Sequence, residues 1–414
     1  MPEIRKPFGS GIYSPHGISF GGLRDLAMKE PENFQAKFER AVESGKIKLT
    51  DIRDIRALWQ SFVDVPVKVS LPDISGSVRT ITTSAFPIMT GSLVIAQMNQ
   101  AYMDLPTIGQ NLVTEMDDNK KITFIAGLSA LDNKKTEVKE GEDFPEISAT
   151  EAKYEIRHRL NGRKLTMSAA VIEENNIASF ALLVNDLGKF INRRIEKLTL
   201  ERVTDYHASK ASPAAPYVYR PDGVGTALFS ATANTPGTRC PSGNRINSND
   251  LVDETDLDAA RELFAGFKDD NGERIGIARS RQVILVPDAK VKTLAKILNS
   301  QYVPGVENEI SNWGPSGMFH VPMERVFSTP LLDDLSTVTW YYGDFQSQFI
   351  RKWKLRFEYA SLGMDTQAFL NARIAAQYRI AYDVEVGARD YVYVVQCLSA
   401  TTAPGDETTT YVAA

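Results

Sequence analysis

Cysteine and histidine are both scarce. Cys240 and Cys397 are the two cysteines in 414 residues, too few for a disulfide framework and suited to a reducing compartment. They can pair only if the fold brings them together, and a buried structural role is the expectation for each. The four histidines, His16, His158, His207 and His320, are far apart, with no metal-ligand spacing and no His-Glu-x-x-His pattern. His158, between Arg157 and Arg159, is expected on a solvated strand face. No apolar run approaches the roughly 18 residues of a membrane span, and Met-Pro-Glu-Ile-Arg-Lys at the start has no apolar signal core. No membrane partner is expected.

Catalytic signatures are missing too. There is no Gly-x-Ser-x-Gly elbow and no Gly-x-x-x-x-Gly-Lys-Ser/Thr phosphate cradle. Gly223-Val-Gly225 lacks the third glycine of a dinucleotide fingerprint and stands in a Pro-rich stretch. Asp253, Asp256 and Asp258 miss the spacing of a calcium loop. They read instead as acidic residues favouring a helix N-terminus, as do Glu173 and Glu174 ahead of a later helix. No enzyme, cofactor, metal or catalytic residue is expected. The net charge of −5 argues against tight nucleic-acid binding. With 43% hydrophobic and 24% charged residues, the chain can bury a large core and more than one.

Periodicity supplies what the motifs do not. Ile177, Phe180, Val184, Leu187, Ile191, Ile195 and Leu198 advance by threes and fours, which puts them on one stripe of a helix over about 177–209. Asp186, Lys189, Arg193, Glu196, Lys197, Glu201 and Arg202 occupy its other faces and are expected in solvent. At 1.5 Å per residue this helix runs roughly 45–50 Å, long enough to act as a strut. Before it, Tyr154-Glu-Ile-Arg-His-Arg-Leu160 alternates as a half-exposed strand does. Asn161-Gly162 has the composition of a type I′ turn, and Arg163-Lys-Leu-Thr-Met-Ser168 returns as a second strand. Upstream, residues 133–143 are strongly charged and have little to bury. The segment of about 123–168 is therefore expected to be a two-stranded arm projecting from the body. A lone hairpin is marginal in water, so such an arm gains by lying on a neighbour.

Extended arm, basic strand, Asn-Gly, strand and long spine helix, in that order, resemble the major capsid proteins of tailed bacteriophages, the Hong Kong 97-like fold. The downstream sequence resembles them as well. Residues 257–267 read as a helix, 269–274 as a turn, and Gln282-Val-Ile-Leu-Val-Pro-Asp288 as a buried strand with a family-like "LVP". A helix over 291–298 follows, then Thr329-Pro-Leu-Leu332 and Thr339-Trp-Tyr-Tyr-Gly-Asp344. Asp222-Gly223 and residues 227–234 resemble the Mu-like head-subunit branch, which carries His where this chain has Ala233.

The resemblance implies an α+β fold with an N-terminal arm (1–92); the residues of that arm read as helical over 23–42 and 52–63 and as a short strand at 65–69. A peripheral domain begins at 93–210, with a helix over 93–103, the extended arm and the spine helix. An axial domain (211–340) enters through loops over 212–250. Peripheral C-terminal strands (341–399) and a tail (400–414) complete the chain. The implied function is a major capsid subunit that forms hexamers and pentamers of an icosahedral shell around double-stranded DNA, held non-specifically. Implied partners are further copies of the chain, portal and scaffolding proteins and a decoration protein, with assembly in the host cytoplasm. Many relatives carry a cleaved N-terminal scaffolding segment; this chain is expected to lack one or to use a separate scaffold. Lys134, Lys135, Lys139, Arg157, Arg159 and Arg163 are the expected inter-subunit arm contacts. Some family members join subunits by Lys–Asn isopeptide bonds; here the arm lysines stand among Glu137, Glu140, Glu142 and Asp143, whose charges favour the unreactive ammonium. The aromatics Trp340, Tyr341, Tyr342, Trp353, Phe357 and Tyr359 are expected in the core, with Arg351, Lys352, Lys354 and Arg356 on a solvated or inter-subunit face. The alternatives are an encapsulin-like compartment and, more remotely, a soluble enzyme.

Overall fold

Glycine at position 188 lets two helices touch. In the computed structural model, residues 93–103 form a helix, α1, and Ile177–Val203 forms the long helix, here α3. A Cβ on Gly188 would stand 2.5 Å from the Met98 carbonyl oxygen and 2.9 Å from the Ala101 methyl, so only a bare backbone fits. Side-chain amides clamp the contact on both sides: Gln97 donates to the Ala181 carbonyl at 3.1 Å and Asn192 to that of Tyr102.

The structure describes residues 13–14, 17–18, 93–118, 122–128, 151–168, 177–206, 228–231, 239–269, 272–301, 311–362 and 374–399. The expected elements over 23–42, 52–63 and 65–69, the arm lysines Lys134, Lys135 and Lys139, most of the Mu-like segment, His16, His207 and the tail from 400 lie outside them. Near the start, β1 (Tyr13–Ser14) pairs with β2 (Gly17–Ile18). The chain divides into two compact units, drawn from Met1–Pro106, Leu160–Arg194 and Leu355–Asp383, and from Thr107–Arg159, Ile195–Lys354 and Val384–Ala414.

The first unit holds α1, the first part of α3, and an antiparallel pairing of β6 (Leu160–Ser168) with β12 (Ile374–Ala388). β12 lies between β6 and β11 (Phe349–Leu362). Leu93, Val94, Met98, Phe180, Val184, Ile191, Leu165, Met167, Tyr378 and Ile380 are among the buried apolar residues of this unit. Asn161 and Gly162 form no turn here: they pair with Tyr382 and Ala381 inside the β6–β12 ladder. A Cβ on Gly162 would meet the Ile380 carbonyl at 2.8 Å. The glycine thus serves close strand approach rather than reversal.

In the second unit, the five-stranded sheet runs β7 (Arg245–Ile246), β13 (Val394–Cys397), β10 (Trp340–Gly343), β8 (Val283–Leu285), β9 (Val326–Phe327). β10 is its centre, antiparallel to both neighbours, and Trp340, Tyr341 and Tyr342 are buried as expected of core aromatics. The expected boundary near 340 therefore cuts a strand from its own sheet. Residues 340–354 and 384–398 pack with α4 (Glu254–Ala265) and α5 (Asp288–Asn299) in one apolar core, so the segment 341–399 is divided rather than peripheral throughout. Asp253 caps α4 by accepting from the Thr255 N–H, and Asp256 reaches back to the cap backbone. Asp253 and Asp256 of the acidic trio thus cap the helix, as their position suggested, while Asp258 accepts from the Trp313 indole N–H at 3.0 Å.

The long helix ends short of the expected span of about 177–209. It stops at Val203 because Asp205 turns left-handed, at φ 51°. The Asp205 and Tyr206 N–H groups then bond back to the Arg202 and Glu201 carbonyls, a Schellman closure in which Asp replaces the usual Gly. The Asp205 carboxylate accepts from the Leu228 N–H at 2.8 Å, holding that conformation.

Candidate assembly interface

The arm is present, built from different strands than the alternation suggested. β4 (Ile122–Leu128) and β5 (Glu151–Arg157) pair antiparallel, from Ile122 opposite Arg157 to Leu128 opposite Glu151. The ribbon runs out toward residues 129–150, the stretch that carries Lys134, Lys135 and Lys139. Its root is fixed by Ile156, buried against Gly387; a Cβ there would stand 2.5 Å from the Ile156 side chain. His158 is buried at this root, not solvated. Arg157 ends β5, and Arg159 is exposed.

In the first unit, α3 carries apolar residues on both faces. Phe180, Val184 and Ile191 of the expected stripe are buried, and Leu187 is half-buried. Leu182, Leu183 and Phe190 lie off that stripe and are exposed, Leu182 at 64%. Arg163, exposed on β6, stacks its guanidinium 5.0 Å from the Phe190 ring centroid, and Leu160, at the start of the same strand, is 70% exposed. This combination of protruding apolar groups and arginine has the chemistry of a contact between chains. The stripe count alone missed it; the signal was the apolar residues that break the stripe.

In the second unit, Ile195 of the stripe is buried and Leu198 half-buried, and several charges expected in solvent are buried beside them. Glu196 accepts from the Ile108 and Gly109 N–H groups at 2.9 Å each, capping the short helix α2 (Gly109–Leu112). Burial pushes its carboxyl above the ordinary 4.5, opposed by those two hydrogen bonds and by Arg351. Glu201 is buried, and Arg202 pairs with Glu385 at 2.9 Å. Arg351 and Lys352, expected on an outer face, are buried and pair with Glu115 and Asp118. Glu115 belongs to β3 (Thr114–Asp117), which runs parallel to β11 and brings the carboxylates alongside. Buried pairs of this kind are strongly destabilising to break.

Burial pushes the Cys240 thiol up to about 12 and raises that of Cys397 further from ionisation. Among the described residues no group of three or more His, Cys, Asp or Glu could hold a metal ion, and no helix is long and apolar enough to cross a membrane.

A family described as phage capsid protein matches residues 154–397, more than half of the chain. No curated protein matches it. Among solved structures, the chain is similar to the virus-like particle from Pyrococcus furiosus, at 8% identity and a TM-score of 0.40, over 73% of this chain and 96% of that one. It is similar to the mature capsid of bacteriophage PhiM1 at 12% identity and 0.42, over 72% and 89%. The procapsid of bacteriophage JBD30 follows at 11% and 0.39, over 78% and 76%.

Proposed function

The chain belongs to the phage capsid protein family, and from that premise we propose that it is the major head subunit of a tailed phage or prophage, with the Hong Kong 97-like fold. The family match over 154–397 carries this reading. Copies associate into hexamers and pentamers of an icosahedral shell, and the subunit works by association rather than catalysis. Each contact is modest, and symmetry repeats it until the shell is collectively stable.

The β4–β5 arm, rooted by Ile156, lies on a neighbouring copy. Lys134, Lys135, Lys139, Arg157, Arg159 and Arg163 make contacts between copies. The first-unit patch of Leu160, Leu182, Leu183 and Phe190 becomes covered when they do. Portal, scaffolding and decoration proteins join the shell, assembly takes place in the host cytoplasm, and double-stranded DNA is enclosed non-specifically. An acidic chain, net −5, suits a wall that holds DNA without gripping it.

Expression of the full chain with its scaffolding protein, followed by negative-stain microscopy, tests the proposal. Closed shells are expected. A monodisperse monomer would overturn it, and shells filled by a specific protein cargo in place of DNA would favour an encapsulin-like compartment instead.

A further inference from the structure

Two arginines of the second unit stand over the Phe319 ring, and a third, Arg325, is bonded to the backbone of one of them. The Arg261 guanidinium carbon stands 3.9 Å from the ring centroid and that of Arg279 5.1 Å. Arg279 is pinned by donating through Nη1 to the Met318 carbonyl at 2.6 Å. Arg325 is pinned in turn by donating through Nη1 to the Arg279 carbonyl at 2.5 Å. Arg261 has Asp258 at 3.7 Å, and nearby Arg281 has Asp344 at 3.1 Å. Among the described residues no carboxylate stands within 4.0 Å of Arg279 or Arg325. Each guanidinium is therefore held by a neutral carbonyl, with no carboxylate partner among the described residues. Guanidinium groups held in that way are preorganised for bidentate carboxylate recognition.

The rim indicates what brings the carboxylate. Met318 is 66% exposed and Met323 is exposed beside Arg325. Arginine and methionine together are enriched where proteins meet proteins, and the Phe319 ring, which a nucleic-acid base would need for stacking, already carries Arg261 and Arg279 over it. The chain itself has carboxylates in excess, 52 acidic against 47 basic residues. A basic patch cannot face itself across a two-fold axis without repulsion. It fits one half of a heterologous contact, the kind that closes rings.

We propose that Arg279 and Arg325, with the Met318 and Met323 rim, receive carboxylate side chains from a second copy of this chain. The inference rests on the shell reading above and adds which surface of the second unit carries a ring contact.

Two measurements on the full chain test it. In the first, Met318→p-benzoylphenylalanine subunits, half of them labelled with heavy nitrogen, are assembled and irradiated. Mixed-isotope cross-linked peptides rich in Asp or Glu are expected. Cross-links confined to one isotope, or cross-links to nucleic acid, would overturn the proposal. In the second, the Arg279→Glu/Arg325→Glu double variant is compared with wild type for fold by circular dichroism and for particle yield by sedimentation. An unchanged spectrum with a yield lowered about tenfold or more is expected from like-charge juxtaposition. Wild-type yield from the double variant overturns the proposal. The shell reading fails separately, by wild type forming no particles at all.

Discussion

The Glu196 carboxylate and the Gly109 N–H meet at 2.9 Å, inside the protein, with the Ile108 N–H bonded to the same oxygen. A Cβ on Gly109 would stand 2.6 Å from the other carboxylate oxygen. Glycine is what lets the backbone come this close, and two otherwise unpaired helix-start donors are satisfied by one side chain. The arrangement costs desolvation of a charge, and burial is the largest influence on its raised carboxyl.

A pH dependence follows. A carboxyl raised in the folded state binds its proton more tightly there than in the unfolded chain. Its contribution is fully present below the ordinary 4.5 and is lost as pH rises through the folded value. Glu196→Gln keeps one oxygen for both N–H groups and removes the titration. The variant should therefore lose less stability than wild type as pH is raised from 4 to 8, read by urea denaturation of unassembled subunits. Glu196→Ala strands both donors and should cost about 2–4 kcal/mol at neutral pH. Parallel pH profiles for wild type and the Gln variant would contradict this account.

Gly188→Ala should destabilise the first unit by about 1–3 kcal/mol, because the new methyl must displace backbone rather than a flexible side-chain end. The neighbouring Lys189→Ala, on an exposed position, should change stability by less than about 0.5 kcal/mol. Thermal melts of the two variants compare them directly. Equal melting temperatures would mean that the helices have room to part.

Much of this architecture was legible because it is periodic. The stripe from Phe180 to Ile195 placed the long helix, and buried runs such as Val283–Leu285 and Trp340–Gly343 marked the sheet. What stayed illegible depends on partners far along the chain. Asn161-Gly162 has turn chemistry locally, but pairing with Tyr382 and Ala381 outweighs a two-residue preference. Glu196 reads as a solvated charge because its partners are backbone N–H groups nearly ninety residues away, which side-chain pattern does not encode. Arg351 and Lys352 read the same way until β3 brings Glu115 and Asp118 beside them. For the candidate interface, alternation revealed strand character at 154–160 and not its partner. The true ribbon joins 122–128 to 151–157.

Neither cysteine should react while the subunit is folded. Cys240 and Cys397 are both free and buried, and the thiolate is the nucleophile. With the Cys240 thiol raised to about 12, its thiolate fraction at pH 8 is on the order of one in ten thousand. Titration with a chromogenic disulfide should register no thiol in native protein and two after denaturation in guanidinium. Rapid reaction of one thiol without unfolding would show that its surroundings open readily.

The arm offers the sharpest separation between folding and assembly. Leu128 stands opposite Glu151 at the outer end of the described ribbon, so residues 129–150 can be replaced by Asn-Gly, a two-residue hairpin closure. The replacement removes Lys134, Lys135 and Lys139 and leaves Ile156 seated on Gly387. If the charged extension serves neighbours rather than its own subunit, the variant keeps its circular dichroism spectrum and melts within about 1 °C of wild type, a shift of about 1 kcal/mol or less for a chain this size. It should nevertheless form no closed shells under conditions where wild type does. Collapse of the fold would show that the extension stabilises its own subunit. Shells of normal size and yield would show that assembly runs through other surfaces, and the arm contacts proposed for those three lysines would then be withdrawn.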